Sequence, residues 1–318
     1  MKHLKLVLLL GIMIVSSIAK ASVWYPLPVE AYGFGKKYPK AQSLLFAFDY
    51  GHALVYERLL LHRGRISNPA DFERKILADV MKILQNPPTV KVEEDDIAPS
   101  YVDRFPLLLN LFDWSHLLHQ FVLDVLATSQ DRGPGMILRV NALTDQYQAA
   151  KPVAITDTCK TMDFMDGHYF SKAFRENYPS FNQLIWAYHW FQIRLYEDLL
   201  LPTEIERDAA VAATTEEFFE LLSDLPDSAG FEMMPETAVE APTFAKNFPK
   251  LPPAFDNNHM LHDIVSDLLV SSVVPFEALR REGIRMGRMA LDPDAFRATT
   301  CGHGGGHGGT HGGGAGGQ

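Results

Sequence analysis

The sequence predicts an all-α fold, a helical bundle built from two duplicated halves with pseudo-two-fold symmetry. Three observations predict it. Strand-like alternation is scarce, whereas apolar residues recur at helical spacing in one stretch after another. The octet Phe112-Asp113-Trp114-Ser115-His116-Leu117-Leu118-His119 returns as Phe255-Asp256-Asn257-Asn258-His259-Met260-Leu261-His262, and the match runs on to Asp124-Val125-Leu126 and Asp267-Leu268-Leu269. The stretch Tyr56-Glu57-Arg58-Leu59-Leu60 has its own counterpart in Tyr196-Glu197-Asp198-Leu199-Leu200, and the segments that follow come in the same order. Two copies of such a unit bury both apolar faces by packing on each other.

Taken in order, residues 1–21 read as an export signal. Lys2 and Lys5 form its basic start, Leu6 to Val15 its apolar run, and Ala19-Lys20-Ala21 its cleavage site. That run is too short to cross a bilayer as a helix, and no later stretch qualifies. The mature chain is thus expected in a periplasm or outside the cell, without a membrane span. Residues 22–40, with Pro26, Pro28 and Pro39, read as an extended lead-in. The duplicated domain covers 41–298, with repeat 1 at about 41–150 and repeat 2 at about 180–290.

Within repeat 1, helices are expected from Ala41 to about Arg63, Phe72 to Leu84, the first motif to about Thr128, and Met136 to Ala149. Asn86-Pro87-Pro88 and Gly133-Pro134-Gly135 break them, and the acidic run Glu93-Glu94-Asp95-Asp96 reads as a solvated connector. Repeat 2 offers Phe181 to Leu200, Glu204 to Leu225, the second motif, and Pro275 to Met289. The tail, 299–318, is glycine and histidine with no core-forming residue. It is expected to be disordered and able to bind metal ions through His303, His307 and His311.

The formal charge of −10 becomes −13 once Lys2, Lys5 and Lys20 leave with the signal. That balance argues against nucleic acid and anionic membrane surfaces as partners, and is compatible with metal ions. Two cysteines, Cys159 and Cys301, make neither a disulfide framework nor a zinc ribbon; in an oxidising compartment they can pair or stay free. No nucleophile elbow, phosphate loop, dinucleotide fingerprint or covalent haem motif is present.

The chemistry lies in the repeated helices. Residues three apart share a helix face, so Asp113 with His116, and Asp256 with His259, can aim a carboxylate and an imidazole at one point. His119 and His262 flank that side, and a degenerate copy upstream adds Asp49 and His52. His189, Glu57 and Glu197 stand within the other long helices. The candidate metal ligands are therefore His52, His116, His119, His189, His259, His262, Asp49, Asp113, Asp256, Glu57 and Glu197. Nitrogen and carboxylate oxygen suit iron, copper, zinc or manganese, and non-covalent haem between two histidines is a further option. Asp124, Asp263 and Asp267 are candidates to orient ligand imidazoles.

In this arrangement, glutamates on two helices and carboxylate-x-x-His on the other two, the chain resembles ferritin-like dimetal-carboxylate four-helix-bundle proteins. The resemblance implies a dimetal site that activates oxygen. The chain departs from the pattern in its aspartates and in its extra histidines, which make a nitrogen-rich site comparable in merit. At 100° per residue, Glu57 and Glu197 sit about 80° around from Asp49 and His189, whereas Tyr56 and Tyr196 face the histidines more squarely. The aspartates have a second reading as helix caps, with Phe112 or Phe255 as the hydrophobic staple. Three functions stay open: a metal-dependent oxidoreductase, a metal sequestration or delivery protein, and a metal-free helical scaffold.

Overall fold

The computed structural model describes residues 27–223, 225 and 234–301, and within them the regular secondary structure is helical, with two isolated bridges. The export signal and the glycine-histidine tail lie outside the described residues. Proline opens helix after helix, because its fixed φ suits the first turn and its missing N–H has no partner there anyway. It does so at Pro39, Pro69, Pro99, Pro106, Pro134, Pro179 and Pro242. Asn68 caps one helix by accepting from the Asp71 amide at 3.2 Å, and Thr203 and Glu206 form a reciprocal capping box at another.

The helices in order are α1 (Gly33–Lys37), α2 (Pro39–His62), α3 (Pro69–Gln85), α4 (Glu94–Ile97), α5 (Pro99–Arg104), α6 (Pro106–Thr128) and α7 (Pro134–Ala149). A short α8 (Asp163–Asp166) follows. Then come α9 (Ala173–Asn177), α10 (Pro179–Asp198), α11 (Glu204–Ser223), α12 (Thr237–Glu240), α13 (Pro242–Asn247), α14 (Leu251–Val270) and α15 (Leu279–Leu291). From α1 to α7 and from α9 to α15 the order of long and short elements is the same.

Two expectations need correcting here. The lead-in is not extended throughout: a 3-10 turn at Val29–Ala31 and helix α1 precede the proline that starts α2. The acidic connector is not simply solvated either, since Glu93 to Asp96 leads into α4 and Glu94 is buried.

Helices α2, α6, α10 and α14 are buried on most of their circumference and form the inside of the bundle. Each of α2 and α6 packs against both α10 and α14, so the halves interleave rather than standing apart as two domains. The amphipathic α3, α7, α11 and α15 lie outside, on α2, α6, α10 and α14 respectively. Helix α15 also reaches α6 closely, and there the glycines matter. A Cβ on Gly283 would stand 2.7 Å from the Phe105 ring, and one on Gly287 3.0 Å from Leu107.

The short helices act as tethered caps. Glu57 on α2 accepts from the amides of Ser100 (3.3 Å) and Tyr101 (2.9 Å) at the start of α5. Glu197 on α10 accepts from Thr243 and Phe244 (3.0 and 3.1 Å) at the start of α13. Asp124 on α6 holds the Phe34 amide of α1 at 2.8 Å, and Asp267 on α14 holds Lys172 and Phe174 at the start of α9 at 2.8 and 2.7 Å. Each carboxylate meets amides that a helix N-terminus leaves without intrahelical partners, and adds a favourable charge-dipole interaction.

Cys159 and Cys301 are joined in a disulfide. It closes a segment in which residues 159–161 run beside 296–298, with Thr161 N–H donating to Phe296 O and Ala298 N–H to Cys159 O, both at 2.8 Å. Lys160, almost fully buried, donates to the carbonyls of Asp292 (2.8 Å) and Ala295 (2.7 Å), and burial pushes its ammonium down to about 8.

Candidate polyhistidine centre

The four inner helices bring all six repeated-helix histidines into one interior cluster. Its axis is a run of neighbouring imidazoles. His119 lies 6.0 Å from His259, His259 lies 3.9 Å from His189, and His189 lies 5.4 Å from His262, by ring centroid. His52 and His116 flank His262 at 4.6 and 5.5 Å. Phenylalanines close the run: Phe255 stacks on His119 at 3.7 Å and Phe112 on His262 at 4.0 Å. These are the phenylalanines of the repeated octet, so each copy of the motif supplies the stacking partner for the second histidine of the other.

All six rings are buried. Burial in apolar surroundings disfavours the imidazolium, and the neighbouring histidines add to it. His52 and His259 are pushed down to about 3, and His119, His189 and His262 fall well below the usual histidine range. His116 is lowered too, by burial, while Asp49, 3.6 Å from its Nδ1, acts in the opposite sense. The cluster is therefore neutral near pH 7, the protonation state that a metal ligand requires.

Few of these nitrogens have a partner in the protein. His119 Nδ1 shares a hydrogen bond with the Tyr196 hydroxyl. Among the described residues, no hydrogen-bond partner is found for His52 Nε2, His116 Nδ1, His119 Nε2, His262 Nδ1, or either nitrogen of His189 and His259. Tyr56 meets the cluster through its ring, 4.6 Å from His52, and donates to the His262 carbonyl at 3.0 Å. Both tyrosines thus face the histidines, as the helical count anticipates.

The carboxylates fare differently. Glu57 and Glu197 are committed to amides of α5 and α13, and Asp124 and Asp267 to α1 and α9, so none of the four serves the imidazoles. Asp263 pairs with Arg175 at 3.3 Å instead. Asp113 and Asp256 are no caps of their own helices, because α6 and α14 begin well before them, at Pro106 and Leu251. Asp256 accepts from the amide and hydroxyl of Thr237 (3.0 and 2.6 Å) and so fixes the start of α12. Asp49 lies against His116 of the cluster, and its main partner is the buried Lys91 ammonium. Burial would raise the Asp49 carboxyl; Lys91 and His116 beside it bring it below the ordinary range. The Lys91 pair is a feature that reading the sequence missed, since nothing local marks a connector lysine as buried.

Two of these assignments give direct tests. Glu57→Ala and Glu197→Ala are each expected to lower stability in urea denaturation by about 2 kcal/mol, the order for charge-assisted hydrogen bonds, and to leave metal content unchanged. Loss of metal from a folded Glu57→Ala protein would return Glu57 to the ligand set. Asp256, raised by burial to about 7, is the second. A carboxyl whose folded pKa exceeds its unfolded value binds extra protons in the folded state, so its contribution fades as pH rises through 7. Asp256→Asn is expected to flatten the decline in stability between pH 5 and pH 8 by about 3 kcal/mol. Parallel curves for the two proteins would contradict the assignment.

Among the described residues, no group of three or more His, Cys, Asp or Glu side chains stands ready as a metal-ligand set. The ring geometry gives the reason. His189 and His259 are inclined by only 18°, and His189 and His262 by 26°. An imidazole lone pair lies in its ring plane, so stacked rings point their nitrogens side by side rather than at one atom. Ligation needs rotations about the Cβ–Cγ bonds, which change no backbone position. Two cavities adjoin the cluster. One of about 20 Å³ is lined by Asp49, Lys91, His116, His119, Gln120 and Gln192 among others, and one of about 10 Å³ lies by Phe48, His52 and Tyr188. The first, with its polar lining, suits a bare ion, and both fall far below the several hundred Å³ of an organic cofactor pocket, which disfavours haem. No family model matches the chain, and neither a curated protein nor a solved structure is significantly similar to it.

Proposed function

We propose that this is an exported metalloprotein that holds a transition-metal ion among the buried imidazoles of α2, α6, α10 and α14. The observation that carries the reading is the set of unpartnered imidazole nitrogens at the centre of the bundle. Leaving one buried polar group unsatisfied costs about 1–3 kcal/mol, so a cluster of them costs as much as the roughly 5–15 kcal/mol by which a whole domain is stable. A chain that concentrates such groups on four separate helices has a use for them, and a cation that accepts several nitrogens at once relieves the cost. The nitrogen-rich donors favour zinc, copper or iron over manganese.

The recurring element order and the matched anchors Glu57 and Glu197, or Asp124 and Asp267, support duplication as the origin of the site. Paired cysteines support an oxidising destination, in keeping with the export signal read from residues 1–21. A redox metal at this position supplies electron transfer or oxidation by a small oxidant. The protein's part is to hold neutral imidazoles in a dry interior too tight for an organic substrate. Whether the ion is used in turnover or stored and delivered depends on its identity.

Elemental analysis tests the proposal, on full-length protein with His303, His307 and His311 replaced by alanine so that the tail contributes nothing. The expected result is bound metal that raises the unfolding temperature, that chelation removes, and that His259→Ala abolishes. Protein without metal after incubation with zinc, copper and iron salts, and with unfolding indifferent to chelator, would sink it.

A further inference from the structure

The polyhistidine cluster divides into two sets of side chains, and one set already contains a cation. Positions correspond between the halves by an offset of 140 on α2 and α10 and of 143 on α6 and α14, as Tyr56 to Tyr196 and Asp113 to Asp256 show. By this rule Asp49 corresponds to His189, His52 to Gln192, His116 to His259, and His119 to His262. The contacts follow the same rule. Asp49 meets His116, and His189 meets His259. Phe112 stacks on His262, and Phe255 on His119. His116 and His262 are 5.5 Å apart, and their counterparts His259 and His119 are 6.0 Å apart. His52 lies 4.6 Å from His262, and Gln192 lines one cavity with His119.

Each set draws three residues from one half and one from the other. One is His52, His189, His259 and His262, four imidazoles. The other is Asp49, His116, His119 and Gln192, and these side chains all line the cavity that also contains Lys91. The Lys91 side chain is only 2% exposed and forms an ion pair with Asp49. The carboxylates of Asp49, Glu94 and Asp113 all act on it electrostatically, and Asp49 pairs with it directly. In the other half the positions of Lys91, Asp49 and Glu94 are filled by Met234, His189 and Thr237. None of these three replacements carries a fixed charge, which leaves four neutral donors; Asp113 alone of the group keeps a carboxylate counterpart, Asp256.

We infer that the two sets are unequal metal positions: the four-imidazole set takes one ion, and the Lys91 ammonium takes the place of a second ion in the Asp49 set. A fixed positive charge against Asp49 both consumes the carboxylate and repels a divalent cation from His116 and His119. The inference rests on the metal-site reading above, and its test separates the two.

The experiment compares three full-length proteins, all with the tail histidines replaced by alanine: the parent, Lys91→Met, and Lys91→Met with Asp49→His. The last copies two residues of the second half and removes the Asp49–Lys91 ion pair whole, so it serves if Lys91→Met alone fails to fold. Each is equilibrated with Zn²⁺, freed of unbound ion and analysed for zinc, with Co²⁺ absorption as a second readout. The expected result is one ion per chain in the parent and two in the double variant, the second lost again with His116→Ala. A parent that already takes two ions, or a double variant that still takes one, overturns this inference and leaves the metal-site reading standing. A parent that takes none overturns both.

Discussion

Replacing Cys159 and Cys301 by serine is expected to lower the free energy of unfolding by about 5 kcal/mol, the largest single effect anticipated in this protein. The disulfide joins positions 142 residues apart, and a crosslink stabilises chiefly by restricting the unfolded chain, by an amount that grows with the logarithm of the loop. About 5 kcal/mol is the chain-entropy value for a loop of this size. The folded state has other holds on the same segment, since Lys160 and the paired backbone of 159–161 and 296–298 persist without the sulfurs. Native helical content is therefore expected to survive while the urea midpoint falls steeply. A loss under about 1 kcal/mol would mean that the unfolded chain is already compact for other reasons.

The second large effect belongs to the Asp49–Lys91 pair. Removing one member of a buried ion pair strands the other, at about 3–5 kcal/mol, whereas replacing both is often neutral. Asp49 keeps 14% of its side chain exposed and Lys91 only 2%, so stranding the lysine is the harsher change. Asp49→Ala is expected near the upper end of that range and Lys91→Met near the lower. Lys91→Met with Asp49→His should regain most of the loss. Additive losses in the double variant, measured by denaturant unfolding without metal, would show that the two side chains do not depend on each other.

The histidines were legible in the sequence and the carboxylates were not, for a definite reason. A helical period reports which residues share a face, so the spacing of His116 with His119, and of His259 with His262, was enough to place them inward on buried helices. The same period ranked Tyr56 and Tyr196 above Glu57 and Glu197. It does not report which distant amide an aspartate or glutamate will meet. Asp124, Asp267, Glu57 and Glu197 all turn out to hold the first turns of short helices that lie 43 to 95 residues away in the chain. The octet also imitates a helix start, and only the prolines well upstream show that α6 and α14 begin earlier. Lys91 was invisible because its burial depends on Asp49, Glu94 and Asp113 converging from three separate elements. The proposed duplication has the recurring order of elements and the paired anchors in its support; of those anchors Glu57 and Glu197 read as ligands from the sequence, and Asp124 and Asp267 as residues that orient ligand imidazoles.

The tight packing around the imidazoles has a kinetic consequence. Cavities of about 10 and 20 Å³ are far too small for a chelator molecule. An ion held by the histidines, as proposed, would leave by movement of the helices around it, so release should proceed at one rate whatever the concentration of competitor. Residence time would then be a property of helix breathing, and mutations that loosen α2 or α14 far from the rings would shorten it.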